Sequence, residues 1–211
     1  MIDPADAARL AAVLRRNDWI REILDRFEAV ALPDAWLVAG CLAQTVWNVA
    51  AGLAAEGGIK DIDLVYHDPD DLTEDGERAQ AARLRGIFAD IPVALDVKNQ
   101  ARVHQWYGSK FGRVIDPYAS TAAAIATYPA TATALGVRPA AEALGICAPF
   151  GLGDLFAGVV RPNKVLVSRE VYEAKAARWR AAWPSLRIVG WDDGEVRARV
   201  CPAQMEAPDR L

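Results

Sequence analysis

Three aspartates carry the first chemical signal in the chain: Asp61 and Asp63 in "GGIKDIDLVYHD" (residues 57–68), and Asp96 in "VALDVKN". In a β-strand residues i and i+2 share a face, so Asp61 and Asp63 project together while Ile62 and Leu64 pack on the other side. Two like charges so close repel, and they persist most readily where a cation or water holds them. If the next strand pairs with this one, Asp96 lies beside them. Three convergent carboxylates suit magnesium, a hard cation that takes oxygen ligands, keeps waters and shares its shell with substrate phosphates; manganese accepts the same donors. That is the outline of metal-assisted phosphoryl or nucleotidyl transfer. A lone D-x-D is common on solvated strand edges, so the weight falls on the third carboxylate and on what precedes the pair.

The preceding segment supplies a place for an anion. "AWLVAG" (35–40) reads as a short buried strand ending in Gly40, and "CLAQTVWNVAAGLAA" (41–55) has helical spacing in Leu42, Val46, Val49 and Leu53. A strand, a glycine and a helix in quick succession present backbone N–H groups at a helix N-terminus, where phosphates bind. Gly40 alone would be a tight turn; upstream of three aspartates it becomes a candidate phosphate cradle.

The remaining elements follow from capping and periodicity. Asp3 and Pro4 start a helix, Asn17 and Asp18 recap the chain into a second one, and "LPD" (32–34) closes the pair. After "DIDLVYH" a polar loop leads to a helix with an apolar face of Ala82, Leu84, Ile87 and Phe88, and "IPVALDVKN" is the next strand. Helices are expected near 120–126, 152–159 and 168–182, with "YPATATALGVRP" as a proline-rich linker between the first two. Short strands "LRIVG" and "EVRARV" close the chain. The expected fold is α+β with a small mixed or mostly antiparallel sheet.

Composition narrows the function classes. The 211 residues fit one domain (1–211), read as N-terminal helices over 3–30, a core over about 30–120 and a helical extension over about 120–211. No apolar run of about 18 residues exists, so a membrane partner is not expected, and the acidic, arginine-bearing start is unlike a secretory signal. A cytoplasmic protein is the expectation. Cys41, Cys147 and Cys201 form no CxxC pair and read as buried thiols. A net charge of -4 gives no basic footprint for a long nucleic acid.

Other polar residues admit two readings each. Lys98, Asn99, Gln100, Arg102 and His104 in "VKNQARVHQWYG" are either nucleotide or acceptor contacts, with Lys98 or Arg102 on phosphates, or a capped helix start. His104 could be a general base, though a lone histidine is more often structural. Tyr118, Ser120 and Thr121 look like a turn and N-cap that could face a cleft. Trp47, Trp106 and Trp179 could stack a base or fill the core. Arg161 and Lys164 fit a solvated loop better than a phosphate contact.

Several ordered blocks resemble a known family. The strand–glycine–helix unit, "DIDLVY" and Asp96 are similar to the core of polymerase-beta-like nucleotidyltransferases. More specifically, "AGCLAQTVWN", "KDIDLVYHD", "VKNQARVHQWYG", "PYASTAAAIATYPATATALGVR" and "APFGLGDLFAGVVRPN" resemble successive blocks of the bacterial nucleotidyltransferase-like group known as nucleotidyl transferase family 6, from about Trp36 to Trp183. The resemblance implies a minimal nucleotidyltransferase core, a small mixed sheet flanked by helices, with a helical C-terminal extension and a two-metal mechanism. It implies that Asp61 and Asp63 bind metal, and that Asp96 joins them and activates an acceptor hydroxyl. Gly40 and Cys41 would line the triphosphate turn, with Gln44, Lys98, Asn99 and Arg102 as further nucleotide-binding candidates. The implied partners are a nucleoside triphosphate and an acceptor of unknown identity. The chain departs from the pattern where the wider superfamily has Gly-Ser or Gly-Gly and here Gly40 precedes Cys41. In this group an arginine–asparagine pair and a final acidic residue commonly occupy the positions held here by Ala43, Gln44 and Asn48.

Two rivals stay open. "DIDLV" fits the D-x-D start of haloacid-dehalogenase-like phosphatases, with "WDDG" (191–194) as their later acidic pair, although "EGGIK" is a poor lead-in for that strand. The second is a degenerate nucleotide-binding or interaction module, favoured by Cys41, Ala43 and Gln44 and opposed by the three intact aspartates.

Overall fold

The computed structural model describes residues 2–141 and 143–193. The chain begins with α1 (Pro4–Leu14), whose first turn is capped by Asp3 Oδ1 accepting from Ala5 N at 2.7 Å, and α2 (Asp18–Asp25), capped by Asn17. Both caps were legible, because Asp and Asn side chains accept the first free helical N–H groups. Asn17 also donates to Thr45 Oγ1 at 2.8 Å and so ties α2 to a later helix.

Strand β1 (Trp36–Val38) runs into α3 (Gly40–Ala50), and β2 (Asp61–Tyr66) follows. Helix α4 (Glu74–Ile87) is capped by Thr73 and precedes β3 (Ala94–Asn99). Its core-facing residues are Ala81, Leu84 and Phe88; Ala82, expected on that face, is exposed. Helices α5 (Val103–Phe111) and α6 (Thr121–Ile125) come next, then strands β4 (Gly136–Pro139) and β5 (Leu144–Cys147). The chain continues through α7 (Gly153–Phe156), β6 (Val159–Val160), α8 (Arg169–Ala182) and β7 (Arg187–Ile188).

The main sheet has the order β3-β2-β1-β4-β5, with β2 and β3 parallel and the other neighbours antiparallel. The expectation of a linker at "YPATATALGVRP" is therefore corrected: that stretch contributes β4, and β5 completes the hairpin. Gly136 shows why a glycine interrupts the strand. A Cβ there would stand 2.7 Å from Ile125 Cδ1 and 3.3 Å from Trp36 and Val38 side-chain atoms, so a larger residue would force the Ile125 side chain of α6 to shift. The expected helix over 152–159 is shorter, and its end becomes β6, which pairs in parallel with β7 inside the expected "LRIVG". The expected strand "EVRARV" lies outside the described residues.

The sheet separates two apolar layers. On one face Leu37, Ile62, Leu64, Leu95 and Val137 pack with α1, α3 and α4. On the other, Trp36, Val38, Val65 and Cys147 meet Ala122 and Ile125 of α6. No helix among the described residues is long and apolar enough to cross a membrane.

Candidate active site

The alternation of β2 decides which face its carboxylates take. Ile62 and Leu64 are fully buried in the larger core layer, so Asp61 and Asp63 emerge on the layer of Val38 and Val65. Asp63 is the register partner of Val38 on one side and of Asp96 on the other. The pairing that the three aspartates required is thus present. Asp61 is exposed, while Asp63 and Asp96 are partly buried.

Beside Asp63, β1 turns sharply into α3. Ala39 holds φ 60° and ψ -122°, a conformation that costs an L-residue about 1–3 kcal/mol, and its N–H donates to Leu135 O at 2.8 Å. The first turn of α3 has no side-chain cap, so its backbone donors stay available to an anion. Gln44 lies over Gly40: a Cβ on that glycine would come within 3.1 Å of Gln44 Nε2.

A cleft of about 790 Å³ opens here, and Ala39, Gly40, Gln44, Asp61, Asp63 and Lys98 line its inner part. Its outer wall comes from α5, through Trp106, Tyr107 and Phe111, and from α8, through Val171, Lys175 and Arg178. Burial raises the Asp63 carboxyl to about 7, Asp61 and then Asp96 add to the shift, and Lys175 opposes it. A divalent cation would relieve that repulsion. Among the described residues no three His, Cys, Asp or Glu side chains stand close enough to hold a metal unaided. Magnesium does not need such a cage, because one or two carboxylates plus substrate phosphates and water complete its shell. Asp61 and Asp63 fit that pattern, with Asp96 adjoining; Asp96 Oδ1 lies 3.6 Å from Lys98 Nζ.

Several sequence candidates belong to the scaffold instead. Cys41 is buried, its thiol donates to Val38 O, and burial together with Asp63 pushes its pKa far up, so it does not line the turn. Asn99 is buried and fully engaged: its Oδ1 accepts from Asp68 N and Ala101 N, and its Nδ2 donates to Asp68 O and Asp71 O. Arg102 is buried against Glu77 at 2.9 Å and donates to Leu72 O. Neither faces the cleft. Of the block "VKNQARVHQWYG", Lys98, Gln100, Val103, Trp106 and Tyr107 do, whereas His104 does not. Tyr118 lines the cleft with its hydroxyl 2.8 Å from Thr127 Oγ1, and Ser120 caps α6.

Trp47 and Trp179 stack edge to face at 5.9 Å in the core, with Trp179 reaching the cleft edge. Asn48 donates to Ala55 O and Gly57 O and accepts from Trp183 Nε1, which gives the departure from an acidic residue a structural use. Arg161 pairs with Asp154 at 3.0 Å, Lys164 sits over the Trp191 ring, and Asp192 pairs with Arg169. None of these six residues lines the cleft. Sequence reasoning missed Lys175 and Arg178; their spacing with Val171 on α8 was the available signal.

The fold and the carboxylate-bearing cleft define a nucleotidyltransferase-type protein. The chain belongs to the nucleotidyltransferase family whose model, described as "Nucleotidyltransferase", matches residues 25–188. It is similar to a structure solved by NMR and described as a CCA-adding enzyme head domain, at 25% identity and a TM-score of 0.72, over 86% of this chain and 94% of that one. No curated protein gives a significant match. Family and fold together support nucleotidyl transfer as the general class of reaction and nucleotides as substrates.

Proposed function

We propose that this protein is a divalent-metal-dependent nucleotidyltransferase that moves a nucleoside monophosphate from a nucleoside triphosphate to a hydroxyl acceptor. The observation that carries the reading is the alignment of Asp61, Asp63 and Asp96 on one sheet face beside the uncapped start of α3. Asp61 and Asp63 would hold magnesium or manganese, with Asp96 beside them. When bound, the metal supplies positive charge at the transferring phosphoryl group and its leaving oxygen.

The chain's own residues do the rest. The first backbone N–H groups of α3 at Gly40 bind the phosphates, and the Gln44 amide lies over that turn. Asp96 accepts the proton of the acceptor hydroxyl, whose oxygen bonds to the α-phosphorus as the bond to the bridging oxygen breaks. Pyrophosphate leaves with that electron pair. Trp106, Tyr107 and Phe111 offer an aromatic wall for a nucleobase.

A nucleotide-binding module without turnover is the second reading. Helix α3 carries no charged residue to meet a triphosphate, and this absence favours it. The likeness to a CCA-adding enzyme head domain makes RNA ends one acceptor class to assay, beside small-molecule and protein hydroxyls. The test is magnesium-dependent pyrophosphate release from each of the four ribonucleoside triphosphates with these acceptor classes. Release that Asp61→Asn abolishes supports transfer, whereas tight binding with no release for any acceptor selects the module.

A further inference from the structure

The cleft holds opposite charges that face each other without closing into pairs. Lys175 acts electrostatically on both Asp63 and Asp61, yet it makes no ion pair within 4.0 Å of a carboxylate among the described residues. Arg178, one turn along α8, likewise makes none, and the two cations repel each other. The other cleft cations are occupied. Lys98 lies 3.6 Å from Asp96 and 3.9 Å from Glu77, and Arg113 donates to Val165 O at 3.0 Å.

Helix α8 is fixed in place from behind. Tyr172, Ala176 and Trp179 are buried, and the Tyr172 hydroxyl lies 2.9 Å from Val160 O and 2.6 Å from Val189 O. Val171, Lys175 and Arg178 therefore stand at i, i+4 and i+7 on the side turned to the cleft. Two cations left unpaired on a rigid helix, across a gap from two carboxylates, are complementary to a ligand with both signs. A polyphosphate carrying a divalent cation is such a ligand: the carboxylates would hold its metal and the two cations would meet its oxygens. Helix α3 brings no positive side chain of its own to the phosphates.

We infer that Lys175 and Arg178 form the polyphosphate subsite of this cleft, so that α8 gives the site its preference for nucleoside triphosphates over monophosphates. This rests on the nucleotidyltransferase reading and deepens it.

The test is isothermal titration of the full chain with inorganic tripolyphosphate, inorganic phosphate and the four ribonucleoside triphosphates and monophosphates, each with magnesium. Wild type is compared with Lys175→Gln, Arg178→Gln, Lys175→Arg and the exposed same-helix control Arg180→Gln. The expected result is binding of tripolyphosphate and of a triphosphate by wild type. Each glutamine variant should weaken both about tenfold and leave the monophosphate within twofold, since a charge-assisted bond to phosphate is worth roughly that factor. Lys175→Arg and Arg180→Gln should bind as wild type. If the glutamine variants bind tripolyphosphate and triphosphates normally, the subsite is wrong while the nucleotidyltransferase reading survives. A wild type that binds no triphosphate overturns both. If Lys175 only balances Asp63, Lys175→Gln will shift the melting temperature and leave the triphosphate-to-monophosphate ratio unchanged.

Discussion

Asp63 and Asp96 are register partners across the parallel pair β2–β3, and Val38, the last residue of β1 before the turn into α3, faces Asp63 from the other side. One row across three strands therefore joins the carboxylates to the start of the helix. Register is specified by burial: a one-residue slip of β2 would drive Asp61 and Asp63 into the layer of Leu37 and Leu95. The hydrophobic pattern that folds the sheet is also what sets the site.

The raised Asp63 pKa makes stability depend on pH in a stated direction. Its folded value, about 7, exceeds the unfolded value near 3.8, so the native state binds more protons between the two. Stability falls as pH rises through that window, and the cost is complete above pH 7. Without metal, Asp63→Asn should be more stable than wild type at pH 8 by about 1–3 kcal/mol, with the difference gone near pH 4. Denaturant titration at the two pH values checks it. Equal stabilities at pH 8 would count against the crowded carboxylate.

Magnesium must compete with that proton. Affinity measured by calorimetry should rise from pH 6 to pH 8 in wild type and lose most of this dependence in Asp63→Asn. An affinity flat across that range in wild type would exclude Asp63 from the metal shell.

Arg102 and Asn99 separate scaffold from ligand contact. Glu77 meets Arg102 in a buried pair and accepts from Asn99 N at 2.8 Å, which locks α4 to the end of β3. Glu77→Ala leaves the buried Arg102 charge without its counter-charge, with the Leu72 carbonyl as acceptor, and should cost about 3–5 kcal/mol of unfolding free energy. A nucleotide contact would show the reverse for Arg102→Gln, with stability kept and binding lost.

Cys41 gives a simple accessibility check. Its thiol is buried and donates to Val38 O, so a water-soluble disulfide reagent should modify it only on unfolding. Cys41→Ala should leave nucleotide affinity within twofold, measured by the same calorimetry. Rapid modification that a nucleotide blocks would return Cys41 to the triphosphate turn.

The aromatic wall should act on the base and not on the phosphates. Tyr107 and Phe111 pack at 4.7 Å, and Phe111 is 46% exposed in spite of its size. Phe111→Ala should weaken nucleoside triphosphates by about tenfold, the value of one base–aromatic stack, and leave inorganic tripolyphosphate binding unchanged. Equal losses for both ligands would show a collapsed cleft instead of a lost stack.

Much of this was readable in the sequence because period and capping are local. Asp3, Asn17 and Ser120 cap helices as their types suggest, and the alternation around Ile62 and Leu64 put the aspartates on one face. Strands β4 and β5 were not readable: each has four residues, one of them a glycine, and they are held by the pairing of β4 with β1 and of β5 with β4 and by the packing of α6, which no local pattern encodes. The polar block after Asp96 misled for a related reason. Asn99 and Arg102 look like ligand contacts, but their partners are the backbone of residues 68–72 and Glu77, brought near only by the β2–β3 pairing. Nothing local distinguishes Lys175 and Arg178 from the solvated side of an ordinary helix; it is the fold that puts both on the cleft that Asp63 lines.

The measurement that tests the central claim most directly is a thermal-shift titration of wild type and Asp63→Asn with each of the four ribonucleoside triphosphates, with and without magnesium. The account predicts a magnesium-dependent rise in melting temperature with at least one triphosphate, growing with concentration by mass action and lost in the variant. No rise with any triphosphate, or an equal rise in Asp63→Asn, would contradict it.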